Sequence, residues 1–142
     1  MIGRFLVRKM SCVKSFIDIG ANLTDPMYQG HYNNSRKHDP DFDQVLVRAR
    51  SSGVQKIIVT VGSRQDISPA LELCRRHPDF LSCTVGIHPT RASEFEENDS
   101  PEELLRHLEA TALENPGIVV AIGECGLDFD RTKFCAKEIQ IK

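Results

Sequence analysis

Glu124 closes an apolar, β-like run, Val119-Val120-Ala121-Ile122, and lies between Gly123 and Gly126. A carboxylate buried at the end of a strand costs several kcal/mol unless a cation or strong donors compensate it. Glu124 therefore reads as a metal ligand, a catalytic acid or the partner of an arginine, with a buried structural ion pair as the plain alternative. His88 stands in Gly86-Ile87-His88-Pro89. The proline biases it to an extended conformation and holds the ring at the rim of the sheet, where it could donate to a substrate phosphate or carbonyl, or serve as an ordinary hydrogen-bonded histidine. Asp18 and Asn22 offer hard oxygen atoms suited to Mg2+ or Mn2+, although Asp18 could equally bind backbone amides of a neighbouring loop. Asp128, in the same segment as Glu124, either orients a ligand from behind or caps the next helix. Cys125 is adjacent to the site, but alternation sends it to the opposite face as a buried, inert thiol. Arg64, Arg91 and Arg131 follow successive strands, where they can meet an anionic substrate, yet exposed arginines are common. The acidic run at 94–99 reads as a solvated loop.

The elements that must position these groups alternate in type. Strands are predicted at residues 16–22, 56–62, 80–88 and 118–124. Helices are predicted at 42–52, 66–77 and 101–114, with a further helix opening at 133. Ser100 as N-cap and Glu103 form a capping box for the third, with Leu104, Leu105 and Leu108 on one face. Repeated βα units with crossover connections predict an α/β fold with a parallel sheet. Two architectures compete: a doubly wound sheet complete at this length, or part of a TIM-type (β/α) barrel, which needs roughly 250 residues. Alternation places Asp18, Gly20 and Asn22 together, then Ser82, Thr84, Gly86 and His88, then Val120, Ile122 and Glu124. Polar groups delivered at the C-terminal ends of parallel strands define the active-site face of such sheets.

Composition narrows the class. The chain has 142 residues, 40% hydrophobic and 27% charged, with net charge −2. That is a globular composition without the basic excess of a protein that grips duplex DNA by neutralising phosphates. No apolar run approaches the roughly 20 residues of a transmembrane helix. Five cysteines without a C-x-x-C pair point to reduced thiols inside a cell. Arg4, Arg8, Lys9 and Lys14 have no acidic partner before Asp18. Residues 1–15 are therefore expected to be a disordered basic tail, with a mitochondrial presequence as the alternative.

Three segments carry a family resemblance: Phe16-Ile17-Asp18-Ile19-Gly20-Ala21-Asn22-Leu23-Thr24-Asp25, Val85-Gly86-Ile87-His88-Pro89, and Ile122-Gly123-Glu124-Cys125-Gly126-Leu127-Asp128. Their order resembles the TatD family of metal-dependent deoxyribonucleases, the first segment being most similar to its eukaryotic branch. The resemblance implies a (β/α)8 barrel that hydrolyses phosphodiester bonds of DNA, typically from a 3′ end, in the nucleus or cytoplasm. It implies one or two divalent ions, Mg2+ first and Mn2+ or Zn2+ next, with Glu124 as a ligand and His88 beside the substrate phosphate. Many members carry an H-x-H pair where this chain has Gly20 and Asn22, so one metal site is expected to be weaker or built partly from water. Members continue through four more strands that supply two histidines and an aspartate. The general-base Asp is thus expected beyond Lys142, and residues 16–142 read as an N-terminal half barrel of about the first four βα units. DNA is the expected partner, with no membrane. Two alternatives stay open: a non-catalytic half barrel that binds a partner or self-associates, and a metal-dependent amide or ester hydrolase. Apolar faces left open by a half barrel predict marginal stability.

Overall fold

The computed structural model describes residues 14–97 and 100–142. The expected basic tail, residues 1–15, lies almost wholly outside the described residues, as do Asn98 and Asp99 of the acidic run. The chain runs through β1 (Phe16–Ala21), β2 (His31–Tyr32), β3 (Ser35–Arg36), α1 (Phe42–Ser51), β4 (Val54–Val59), α2 (Arg64–Arg76), β5 (Leu81–Val85), α3 (Glu94–Glu97), α4 (Pro101–Glu114), β6 (Val119–Ile122) and α5 (Lys137–Ile141). The main sheet has the order β1-β4-β5-β6, and every pairing in it is parallel. In a doubly wound sheet the order would reverse at a switch point. Here each strand lies beside its predecessor in the sheet, the order of a barrel segment, and this decides between the two architectures.

The core lies between this sheet and its helices. α2 turns Ile67, Ala70, Leu73 and Cys74 inward at helical spacing. They meet β5, whose five residues are all buried. Phe80 is fully buried, with the Arg50 guanidinium stacked 3.7 Å above its ring centroid. The edges differ sharply from this centre. Ile19 on β1 is 75% exposed and Ile122 on β6 is 71% exposed, so the apolar residues of both outer strands are open to solvent. Among the described residues no helix is long and apolar enough to cross a membrane.

Several local features depart from the sequence reading. The polar stretch after β1 contains a 3-10 turn, Pro26–Gln29, capped by Asp25, and then the β2–β3 hairpin. Asn33 and Asn34 form its tip at φ +46° and +61°, the positive values that a two-residue hairpin turn requires. The acidic run is not simply a solvated loop. Residues 94–97 make a helical turn, and Glu94 Oε2 accepts the Arg64 backbone N–H at 2.9 Å, capping the start of α2. Ser100 caps α4 as read, its Oγ accepting from the Glu103 N–H at 3.3 Å, but among the described residues the Glu103 carboxylate returns no bond to the Ser100 N–H, so only half of the capping box is present. Leu104 is buried but Leu105 is 56% exposed. α5 begins at Lys137 rather than 133 because residues 123–136 fold as an irregular loop around the Gln140 side chain.

Phe80→Ala is expected to lower the unfolding free energy by about 3–5 kcal/mol, the cost of deleting a fully buried ring. Urea denaturation followed by circular dichroism measures this, and a loss below about 1 kcal/mol would contradict the packing described.

Candidate active site

Each main strand stops short of its polar terminal residue, and the extensions beyond the strands interlock. Val61, beyond β4, donates its N–H to the buried Thr84 Oγ1 at 3.0 Å. Its carbonyl accepts from the Glu124 N–H at 3.1 Å, while Gly123 N–H donates to Val85 O at 2.8 Å. The segment after β6 therefore crosses the end of β5 to reach the segment after β4. Gly86 lies directly beneath the crossing. A Cβ at that position would sit 2.6 Å from both the Glu124 carbonyl oxygen and the Gly123 carbonyl carbon, so only glycine fits.

This crossing brings the two leading candidates together. His88 N–H donates to Gly62 O at 2.8 Å. A Cβ on Gly62 would lie 3.4 Å from His88 Cβ and 3.8 Å from Glu124 Oε2. The His88 Cβ and the Glu124 carboxylate thus both lie against Gly62. They open on a cavity of about 630 Å3 also lined by Cys125, Asp128, Phe129 and Arg131.

The hydrogen bonds of His88 define its chemistry. Its Nδ1 accepts the Thr90 backbone N–H at 3.1 Å and lies 2.8 Å from Thr90 Oγ1. A backbone N–H can only donate, so this network assigns the neutral ring's proton to Nε2. His88 is accordingly a donor toward the cavity. Thr90 was not evident from the sequence, although a Thr two residues after a rim histidine is a recognisable local hydrogen-bonding pattern.

Glu124 itself is exposed, whereas the sequence reading had it buried. The reason is its place after β6, an edge strand of the described sheet. Its carboxylate makes no hydrogen bond or ion pair with a described residue, so among these neither the structural ion pair nor an arginine partner is present. Cys125 is also exposed rather than buried, because β6 ends at Ile122 and the φ of +143° at Gly123 ends the strand alternation.

Asp18 and Asn22 are both exposed. The Asp18 carboxylate accepts the Gly20 N–H at 3.1 Å, within its own strand rather than in a neighbouring loop. There Asp18 and Ala21 face Ile57 and Val59, one residue more on β1 than on β4. This bulge breaks the alternation that would have aligned Asp18, Gly20 and Asn22. Asp128 accepts the N–H groups of Asp130 and Arg131 at 3.2 and 3.1 Å and pairs with Arg131 Nε at 2.6 Å. Desolvation pushes its pKa up, but the Arg131 side chain and these N–H groups outweigh it and hold the carboxyl below its ordinary value. It caps a turn of its own loop, not α5, whose N-cap is Ala136.

Among the described residues no three His, Cys, Asp or Glu side chains converge as a metal site. The unpartnered Glu124 carboxylate fits one ligand position, and the described residues do not supply the rest of a coordination shell.

A singly wound parallel sheet with histidine and carboxylate at its C-terminal edge defines the class: part of a β/α barrel, seen at the face where such barrels place their sites. The family model described as TatD related DNase matches residues 17–142, and the chain belongs to this family. It is similar to "Deoxyribonuclease Tat-D" of Schizosaccharomyces pombe, 40% identical over 137 residues, covering 93% of this chain and 44% of that protein. It is also similar to a "3'-5' ssDNA/RNA exonuclease TatD" of Pectobacterium carotovorum, at 38% identity, covering 80% of this chain and 37% of that one. The crystal structure of a TatD family hydrolase from Entamoeba histolytica superposes with a TM-score of 0.79 at 40% identity, covering 90% of this chain and 42% of that one. The chain spans less than half the length of these relatives.

Gly86→Ala is expected to cost about 1–3 kcal/mol through overpacking and to move the backbone NMR resonances of Gly123 and Glu124. Unmoved resonances would contradict the crossing. In the native protein, iodoacetamide is expected to alkylate Cys125 and spare Cys74 and Cys83, which are 0% and 1% exposed. A hydrogen bond with Cys83, together with burial, raises the Cys74 pKa and holds its thiol protonated. Peptide mapping by mass spectrometry tests the pattern, and alkylation of Cys74 at the rate of Cys125 would refute it.

Proposed function

We propose that this chain carries part of the active site of a divalent-metal-dependent deoxyribonuclease that removes nucleotides from the 3′ end of a DNA strand. The observation that carries the reading is that the Glu124 carboxylate, without a partner among the described residues, and the His88 side chain both lie against Gly62 and line one cavity, in a chain of this family. The printed activities of the fungal and bacterial relatives support the substrate class.

Glu124 would hold the metal through its carboxylate, with Mg2+ the first candidate and Mn2+ or Zn2+ next. A bound divalent ion lowers the pKa of a coordinated water and offsets the charge on phosphate. His88 Nε2–H donates to a non-bridging phosphate oxygen, and Thr90 keeps that proton on the correct nitrogen. The remaining ligands and the general-base aspartate belong, in this reading, to the part of the barrel that the relatives have and this chain does not span.

A 5′-labelled single-stranded oligonucleotide incubated with Mg2+ or Mn2+ and a complete barrel that contains this chain is expected to shorten from its 3′ end. Glu124→Gln should slow this by at least about 100-fold, the scale of losing one charge-stabilising group, and EDTA should abolish it. Shortening that ignores the chelator, or a fully active Glu124→Gln variant, would remove the proposal.

A further inference from the structure

Residues 123–136 form an irregular loop whose conformation depends largely on one buried side chain. Gln140 Oε1 accepts the Asp128 N–H at 2.8 Å, while its Nε2 donates to Asp128 O at 3.1 Å and to Cys135 O at 2.8 Å. A single amide thereby fixes both backbone polar groups of Asp128. The Asp128 carboxylate passes this order on, binding Arg131 Nε at 2.6 Å. That contact leaves the Nη groups on the outer edge of the planar guanidinium for another anion.

We propose that Arg131 is a phosphate-binding residue of this site, with Asp128 and Gln140 as its positioning residues, and that it takes a non-scissile phosphate of the substrate strand. The proposal rests on the nuclease reading above, in which Glu124 and His88 serve the scissile phosphate. Arg131 is the only Lys or Arg among the described residues lining the cavity, which also holds the carboxylates of Glu124, Asp128 and Asp130. A polyanionic strand entering there meets this one cation. The Arg131 side chain is 56% exposed although its Nε is pinned. The exposed pairs Arg36–Asp39 and Arg48–Asp41 lie away from the cavity. An exposed ion pair contributes little to stability. Ordering a long side chain in advance instead reduces what a ligand must organise on binding.

Binding of a fluorescein-labelled oligothymidylate is measured by anisotropy over a range of NaCl concentrations, with Mg2+ present and with Glu124→Gln as the background to prevent cleavage. Adding Arg131→Ala should weaken binding about tenfold, the size of one charge-assisted contact. It should also make the log K against log salt slope shallower by about 0.7, one phosphate on a single strand. Arg131→Lys should keep the slope and recover part of the affinity. Asp128→Asn separates positioning from simple charge: loss of orientation predicts weaker binding, whereas removal of a negative charge alone predicts tighter binding. Thermal melting of each variant confirms that it is folded. Oligonucleotide binding that is unchanged in affinity and slope by Arg131→Ala overturns this proposal alone. Tighter binding by Asp128→Asn overturns the positioning role. Failure to bind any oligonucleotide by the protein that keeps Glu124, tested with a cleavage-resistant phosphorothioate strand, overturns both this proposal and the nuclease reading.

Discussion

The site depends on one close backbone approach: the passage of Gly123 and Glu124 over Gly86 to reach Val61. Side chains on adjacent parallel strands normally stand apart, each at the end of its own strand. Here Glu124, just after β6, is bonded across β5 to the extension of β4, so its carboxylate lies against Gly62, as does the His88 Cβ. The absence of a side chain at Gly86 makes the approach possible, and the buried Thr84 hydroxyl steadies Val61 from the other side. A loop over a more conventional strand end would leave Glu124 and His88 on separate strands with nothing to fix their spacing.

The same geometry explains the contrast between centre and edges. β5 is buried along its whole length because β4 and β6 flank it and α2 covers it. β1 and β6 expose large apolar side chains, including Ile17, Ile19 and Ile122. Relatives of more than twice this length supply the scale on which such faces are covered in a complete barrel. His88 and Glu124 gather at the C-terminal ends of β5 and β6, where the buried β5 supports them from below.

The electrostatics of the site follow from hydrogen bonds more than from net charge. A chain of net charge −2 attracts phosphate only through local arrangement. His88 is a donor because a backbone N–H occupies its other nitrogen, and Arg131 faces the cavity because Asp128 binds its Nε. In each, one nitrogen is already engaged, which leaves Nε2 of His88 and the Nη groups of Arg131 as the remaining donors.

Much of the architecture was legible in the sequence. The strand and helix periods, the Ser100 cap and the placement of polar groups at strand ends follow from local preferences, which depend on neighbours a few residues away. The three motif segments likewise marked Glu124 and His88 before any coordinates. What the sequence alone left undetermined was decided by contacts between distant segments. The β1 bulge and the Gly123 turn each broke an alternation that would have set the faces of Asn22 and Cys125, and parity along a strand has meaning only while the strand remains regular. The Gln140 clamp carries no sequence signal, since a glutamine near a helix looks like any surface residue until the loop it holds is folded around it. The singly wound strand order and the exposure of Glu124 were likewise decided only by tertiary structure, because each depends on which strand lies alongside, and that is a property of packing.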